Sequence, residues 1–167
     1  LGWYAKSFSV PESAKGKKVF IYFEGVYNRS KVYLNGNLLG ERPNGYVSFM
    51  YDLTPYLKYG NEMNDIRVEV DHTRYIDSRW YTGSGIYRDV YLVYAEPTHI
   101  DLWGTYCITK NVTKSKADFV VQTTLRNEQV KAAKAEVELS LYDRADGKLV
   151  ATAKKAVNLK ANDSIVC

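Results

Sequence analysis

Cysteine and histidine are scarce in this chain. Two of each occur in 167 residues, too few for a disulfide framework, and Cys107, Cys167, His72 and His99 stand at no metal-ligand spacing. No apolar run approaches the roughly 20 residues that span a bilayer, and no segment has the build of a signal peptide. No amphipathic helical stretch of useful length occurs either. The net charge of +4 is spread over scattered lysines such as Lys15, Lys17, Lys18, Lys131 and Lys134. Nucleic-acid binders concentrate such charge on one face or helix, so these lysines read as solubilising residues on exposed strands. The chain opens at Leu1, without Met and directly in strand-like sequence, and reads as an excised or processed piece.

Tyrosine is abundant, with 15 residues. It suits β-sheets and amphipathic surfaces, and its ring can stack on the apolar face of a sugar. Alternation and turn residues divide the chain into short strands. Trp3 to Val10 reads as a strand closed by Pro11. Lys17 to Val26 is a near-continuous apolar run, read as a buried central strand. Asn35-Gly36 is a strong hairpin signal between Lys31–Leu34 and Leu38–Gly40, because both turn residues must accept positive φ. Gly45 to Leu53 gives another strand, Thr54 and Pro55 are expected to open a short helical turn, and Ile66 to Asp71 alternates apolar with charged residues.

The densest stretch runs from Asp71 to Val93. It begins as a loop rich in charge and rings, passes through Gly83-Ser84-Gly85, and is expected to become a strand from Ile86 to Val93. Loops held by a rigid sheet carry function. Gly83 and Gly85 serve turn geometry, and a Gly-Ser-Gly run without a following helix is no phosphate loop. Arg88 and Asp89 are expected in an ion pair or on the sheet face.

After Ala95-Glu96-Pro97 the texture changes. Thr98–Trp103, Tyr106–Thr109, Ala117–Leu125, Ala135–Leu141 and Leu149–Ala153 read as strands, Asp146-Gly147 as a turn, and Val157 and Leu159 as the start of one more. Alanine and lysine dominate and aromatics thin out, which suits a spacer. Two domains are expected, residues 1–95 and 98–167. The second is short of the ~100 residues usual for an immunoglobulin-like sandwich, so at least one further C-terminal strand is expected, and a first strand before Leu1 as well.

Several segments taken in order resemble the amino-terminal sugar-binding domain of glycoside hydrolase family 2. They are Gly2-Trp3-Tyr4 with Phe8; Phe23-Glu24-Gly25-Val26; Val32-Tyr33-Leu34-Asn35-Gly36 with Gly40; Gly45-Tyr46 with Phe49; Asp52-Leu53-Thr54; and Arg79 through Val90. The family includes β-galactosidases, β-glucuronidases and β-mannosidases. The resemblance implies an all-β chain: a jelly-roll, galactose-binding-like β-sandwich followed by an immunoglobulin-like β-sandwich. In the parent enzyme a (β/α)8 barrel would follow. Such retaining enzymes use two carboxylates about 5 Å apart at the carboxyl end of barrel strands. No barrel lies in this sequence. Glu24, Glu69 and Asp89 sit in strands of β-domains, so this portion is expected to be inactive alone.

The same resemblance brings the loop before Gly83 close to the sugar pocket of the barrel. In one bacterial β-galactosidase type an aspartate near this point binds galactose and an associated sodium ion. The matching position here is Arg79, and the nearest acid is Asp77. Asp77, Arg79, Trp80 and Tyr81 are therefore expected to shape the substrate rim. The rings would lie against a pyranose, and Arg79 or Asp77 would hydrogen-bond its hydroxyls. The alternative is that Trp80 and Tyr81 cap the sandwich. No catalytic or metal-binding residue and no cofactor is expected in this portion, with sodium or magnesium left to the parent enzyme. The implied partners are a β-galactoside, bound through the parent enzyme, its own barrel, and a second copy in a homo-oligomer; nucleic acid and membrane are not among them.

Other functions stay open beside this one: a self-sufficient carbohydrate-binding module, the front portion of a β-glucuronidase or β-mannosidase, or a structural or partner-binding β-protein. Asn-X-Ser/Thr triplets at Asn28, Asn111 and Asn162 mark expected surface positions.

Overall fold

The computed structural model describes residues 1–74 and 82–167. The chain is all-β and divides into two compact units, Leu1–Glu96 and Pro97–Cys167.

The first unit holds β1 (Gly2–Ser9), β2 (Lys18–Phe23), β3 (Val26–Tyr27), β4 (Ser30–Leu34), β5 (Asn37–Arg42), β6 (Phe49–Asp52), β7 (Met63–Val70), β8 (Gly85–Ile86) and β9 (Val90–Ala95). One sheet has the order β1-β7-β4-β5 and the other β6-β2-β9, and β3 and β8 form a short separate ladder. All the pairings are antiparallel. Alternation puts Ile66, Val68 and Val70 of β7 on the inner face of the first sheet, where they join Val32 and Leu34 of β4. Val19, Ile21 and Phe23 of β2 come from the other sheet, and Phe23 stacks on Phe49 with ring centroids 5.0 Å apart. Fully burying side chains of this kind contributes ~1.5–3 kcal/mol each.

Positive φ at Asn35 (49°) and Gly36 (84°) closes the β4–β5 hairpin as the sequence predicts. The Asn35 side chain also tethers the turn. Its Nδ2 donates to Tyr56 O at 2.8 Å and to Asn64 Oδ1 at 2.9 Å, and its Oδ1 accepts the Asp65 N–H at 2.9 Å. Asn64 itself is fully buried; its Oδ1 also accepts the Lys58 N–H, and its Nδ2 donates to Lys58 O. One carboxamide pair thus joins the hairpin, β7 and the loop after residue 56.

Several strands depart from the sequence reading. The expected strand Lys17–Val26 stops at Phe23 and resumes as β3, and the expected strand Ile86–Val93 breaks between β8 and β9. The two breaks face each other: the Glu24 N–H donates to Asp89 O at 3.1 Å, and the Tyr87 N–H to Gly25 O at 3.3 Å. Gly45–Leu53 shortens to β6, because Asn44 Oδ1 captures the Tyr46 N–H at 2.8 Å before the ladder begins. Thr54 is not a helix cap. Leu53 takes that position in the short turn Thr54–Tyr56, and Thr54 Oγ1 instead accepts the Val19 N–H at 2.9 Å.

The second unit contains β10 (Thr98–Lys110), β11 (Asp118–Asn127), β12 (Ala133–Tyr142), β13 (Leu149–Leu159) and β14 (Asp163–Val166). Its sheets have the orders β10-β11-β14 and β12-β13. The predicted strands Thr98–Trp103 and Tyr106–Thr109 are one strand with a bulge between Ile100 and Thr105. A side chain at Gly104 would meet Asp101 O at 2.7 Å and Thr124 O at 2.9 Å, so glycine lets the bulge pack. Leu149–Ala153 and Val157–Leu159 likewise merge into β13. Leu125, Val157 and Leu159 form the buried core, and an apolar cleft of about 380 Å³ lies among Phe119, Val121, Leu139, Leu141 and Ala151. Asn127, fully buried, ties the loops together through Lys131 O, Lys160 O and the Thr98 hydroxyl.

The sequon Asn28 is buried, and its Ser30 wholly so, while Asn111 and Asn162 are exposed at turns of positive φ.

Two outcomes follow from the first unit. Asn64→Ala takes one of two acceptors from the Asn35 amide and the side-chain partner from both Lys58 backbone groups, and should lower the stability of the first unit by about 3 kcal/mol in urea unfolding. Burial opposes ionisation of Asp52, but the Lys18 ammonium at 2.6 Å and hydrogen bonds from Thr54 outweigh it and hold the carboxyl below its usual value. A lowered folded pKa stabilises the fold above the unfolded value of about 3.9 and loses that stability as pH falls through the folded one. Urea midpoints should therefore drop as the solution is acidified below that range, and Asp52→Asn should flatten the drop.

Candidate functional site

Asp77, Arg79, Trp80 and Tyr81, the expected rim, lie outside the described residues. The structure does describe the two ends of the segment that carries them, from β7 to residue 74 and from residue 82 into β8.

A 2.6 Å hydrogen bond between His72 Nδ1 and Ser84 Oγ joins those ends. Tyr27, at the end of β3, packs edge-on against the His72 ring at 4.9 Å and against Tyr46 at 5.3 Å. On the incoming side the Asp71 N–H donates to Asn28 O at 3.2 Å, continuing the β7–β4 contact beyond the ladder. Asp71 Oδ1 accepts both the Thr73 hydroxyl at 2.6 Å and the Thr73 N–H at 3.0 Å. Those two bonds lead in holding its carboxyl below the usual range, with Arg74 adding its charge. On the outgoing side Gly85 pairs with Tyr27 in the β3–β8 ladder. A cleft of about 250 Å³ opens among Tyr4, Val70, His72, Ser84 and Gly85.

Three glycines let aromatic rings reach this neck. A Cβ at Gly25 would come within 2.6 Å of the Tyr87 ring, one at Gly45 would overlap the Tyr27 ring, and one at Gly85 the Tyr4 hydroxyl. Tyr87 passes over Gly25, and its hydroxyl donates to Gly45 O at 2.8 Å.

The neck can position hydroxyl, imidazole and aromatic groups at the foot of the segment. Among the described residues it does not bring acids together for hydrolysis. Glu69 lies 3.8 Å from Lys31, and Asp89 accepts the Tyr91 hydroxyl at 3.2 Å. Arg88 covers the Tyr87 ring at 5.6 Å, and Arg88 and Asp89, expected in an ion pair or on the sheet face, lie between β8 and β9, one over a ring and the other accepting a phenolic hydroxyl. Among the described residues no group of three His, Cys, Asp or Glu could hold a metal ion.

Tyr27, Tyr46 and His72 are the residues that sequence reasoning missed. They are distant in the chain, and the one local signal was Gly45 preceding Tyr46. Gly85 has φ +120° and Tyr4 against it, so Gly85→Ala combines backbone strain with a clash. It should destabilise the first unit by ~2–4 kcal/mol in thermal or urea unfolding.

The model of the glycosyl hydrolases family 2 sugar-binding domain matches residues 1–97. The β-galactosidase BoGH2A of Bacteroides ovatus is 45% identical over 166 residues, 99% of this chain and 19% of that protein. A β-glucuronidase of Formosa agariphila is 37% identical over 183 aligned positions, which cover 98% of this chain and 18% of that protein. Among solved structures, a glycosyl hydrolase family 2 member from Bacteroides cellulosilyticus matches with a TM-score of 0.90 at 32% identity, covering 99% of this chain and 23% of that one. The chain thus spans about a fifth of the length of these proteins. The fold order, the all-β build and the match over residues 1–97 agree: the chain belongs to glycosyl hydrolase family 2, and its first unit is that family's sugar-binding domain.

Proposed function

We propose that the chain is the non-catalytic front portion of a β-galactosidase, supporting a following (β/α)8 barrel and contributing to the rim of its sugar pocket. The observation that carries the substrate is the 45% identity to a β-galactosidase, sustained over 99% of the chain. Retaining hydrolysis needs two carboxylates about 5 Å apart, and the acids Glu69 and Asp89 are instead engaged with Lys31 and Tyr91. The rim role of Asp77, Arg79, Trp80 and Tyr81 is supported by the described neck, where His72, Ser84 and Tyr27 hold the two described ends of the segment, residues 72 and 84, together.

A second reading, the front portion of a β-glucuronidase, is favoured by the 37% identity to the Formosa agariphila enzyme. The two differ at the sugar's C6, a hydroxymethyl in one and a carboxylate in the other, and a site built for one rejects the other strongly. The full-length protein should cleave a chromogenic β-galactoside with kcat/KM at least about a hundredfold above the matching β-glucuronide. The reverse preference would replace the first reading by the second. The isolated chain should turn over neither, and hydrolysis by it would overturn the non-catalytic assignment.

A further inference from the structure

Two Asn-Gly dipeptides lie in the first unit, Asn35-Gly36 and Asn44-Gly45. Glycine leaves its amide nitrogen unhindered, which makes this pair the one most open to succinimide formation. The glycine nitrogen attacks the asparagine Cγ, the new N–Cγ bond forms, and the Cγ–Nδ2 bond breaks. Nδ2 departs as ammonia with the proton lost from the glycine nitrogen. Water then opens the ring at either carbonyl, leaving aspartate or isoaspartate.

The fold holds the two asparagines in opposite ways. At Asn35 the leaving nitrogen is clamped by Tyr56 O and Asn64 Oδ1, and the carbonyl oxygen by the Asp65 N–H. Turning Cγ toward Gly36 breaks all of these at once. Asn44 is exposed, and its side-chain hydrogen bond among the described residues is the one its Oδ1 accepts from the Tyr46 N–H at 2.8 Å. Attack at Cγ gathers negative charge on Oδ1, where that N–H stabilises it. The attack is intramolecular, so the cover of Tyr27 over Gly45 does not remove the nucleophile.

We propose that Asn44 is a site of spontaneous modification whose product disturbs the neck of the candidate site, while the Asn35 clamp withholds Asn35 from the same chemistry. Gly45 seats the Tyr27 ring and takes the Tyr87 hydroxyl on its carbonyl. Isoaspartate at 44 lengthens the main chain by one carbon immediately before that seat. Tyr27 then shifts against His72, and through His72 the contact with Ser84 changes.

The full chain is aged at mildly alkaline pH, and both sites are followed by peptide mass spectrometry with isoaspartate detection. In the folded chain Asn44 should convert at least about tenfold faster than Asn35, and in concentrated urea the two rates should agree within about threefold, since only the fold separates them. Equal rates in the folded chain, or a folded Asn44 as inert as Asn35, would overturn the proposal. Asn64→Ala should speed conversion at Asn35 alone; a folded Asn64→Ala chain with an unchanged Asn35 rate would refute the clamp. Conversion of Asn44 should shift the NMR ring signals of Tyr27 and His72, and unshifted signals would refute the effect on the neck.

Discussion

Tyr87 is the strut on which the described part of the site depends. It sits where the β8–β9 path leaves the ladder. Its ring lies over Gly25, where the β2–β3 path leaves the ladder too, and its hydroxyl reaches Gly45. Gly45 in turn seats Tyr27, and Tyr27 meets His72, whose bond to Ser84 closes the neck. Apart from the edge-on contact of the Tyr27 and His72 rings, each step pairs an aromatic ring with a glycine or a polar group. Tyrosine suits such steps because it offers apolar area along the ring and one hydrogen bond at the tip. The matched breaks in two neighbouring strands have a reason in this chain of contacts: an unbroken ladder would leave the Tyr87 ring and the Gly25 backbone without room for each other.

The sandwich behind the strut was largely legible in the sequence. Alternation in Ile66–Val70 and the apolar run Val19–Phe23 encode which faces are buried, because side chains in strands alternate with a period of 2. Asn35-Gly36 encodes its hairpin, because both turn residues must take positive φ. The failures are of another kind. The bulge at Trp103–Gly104 and the break at Glu24–Gly25 depend on what lies across the sheet, Thr124 in one case and Tyr87 in the other. Apolar periodicity carries no such information. Thr54 misled because a cap-forming residue can spend its hydroxyl on a neighbouring strand, here on Val19.

The site was legible in a narrower sense. Order and spacing of Arg79 through Val90 carry the family resemblance, and the match over residues 1–97 bears that membership out. Its described supports were invisible, since Tyr27 meets Tyr46 and His72 only once the residues after β7 come beside the β3–β4 connection, where the Asp71 N–H reaches Asn28 O. Nothing local distinguishes Tyr27 from the chain's other tyrosines.

Buried asparagine shows the same economy in both units. Asn64 and Asn127 are each fully buried, and each carboxamide hydrogen-bonds backbone groups of loops as well as one neighbouring side chain. A carboxamide offers donors and acceptors at once, so one side chain satisfies main-chain groups that no ladder reaches. Left unpaired, such groups would cost ~1–3 kcal/mol each, so fixing the loops from inside costs the sandwich little. The loop ends are then positioned by the core instead of by contacts at their tips.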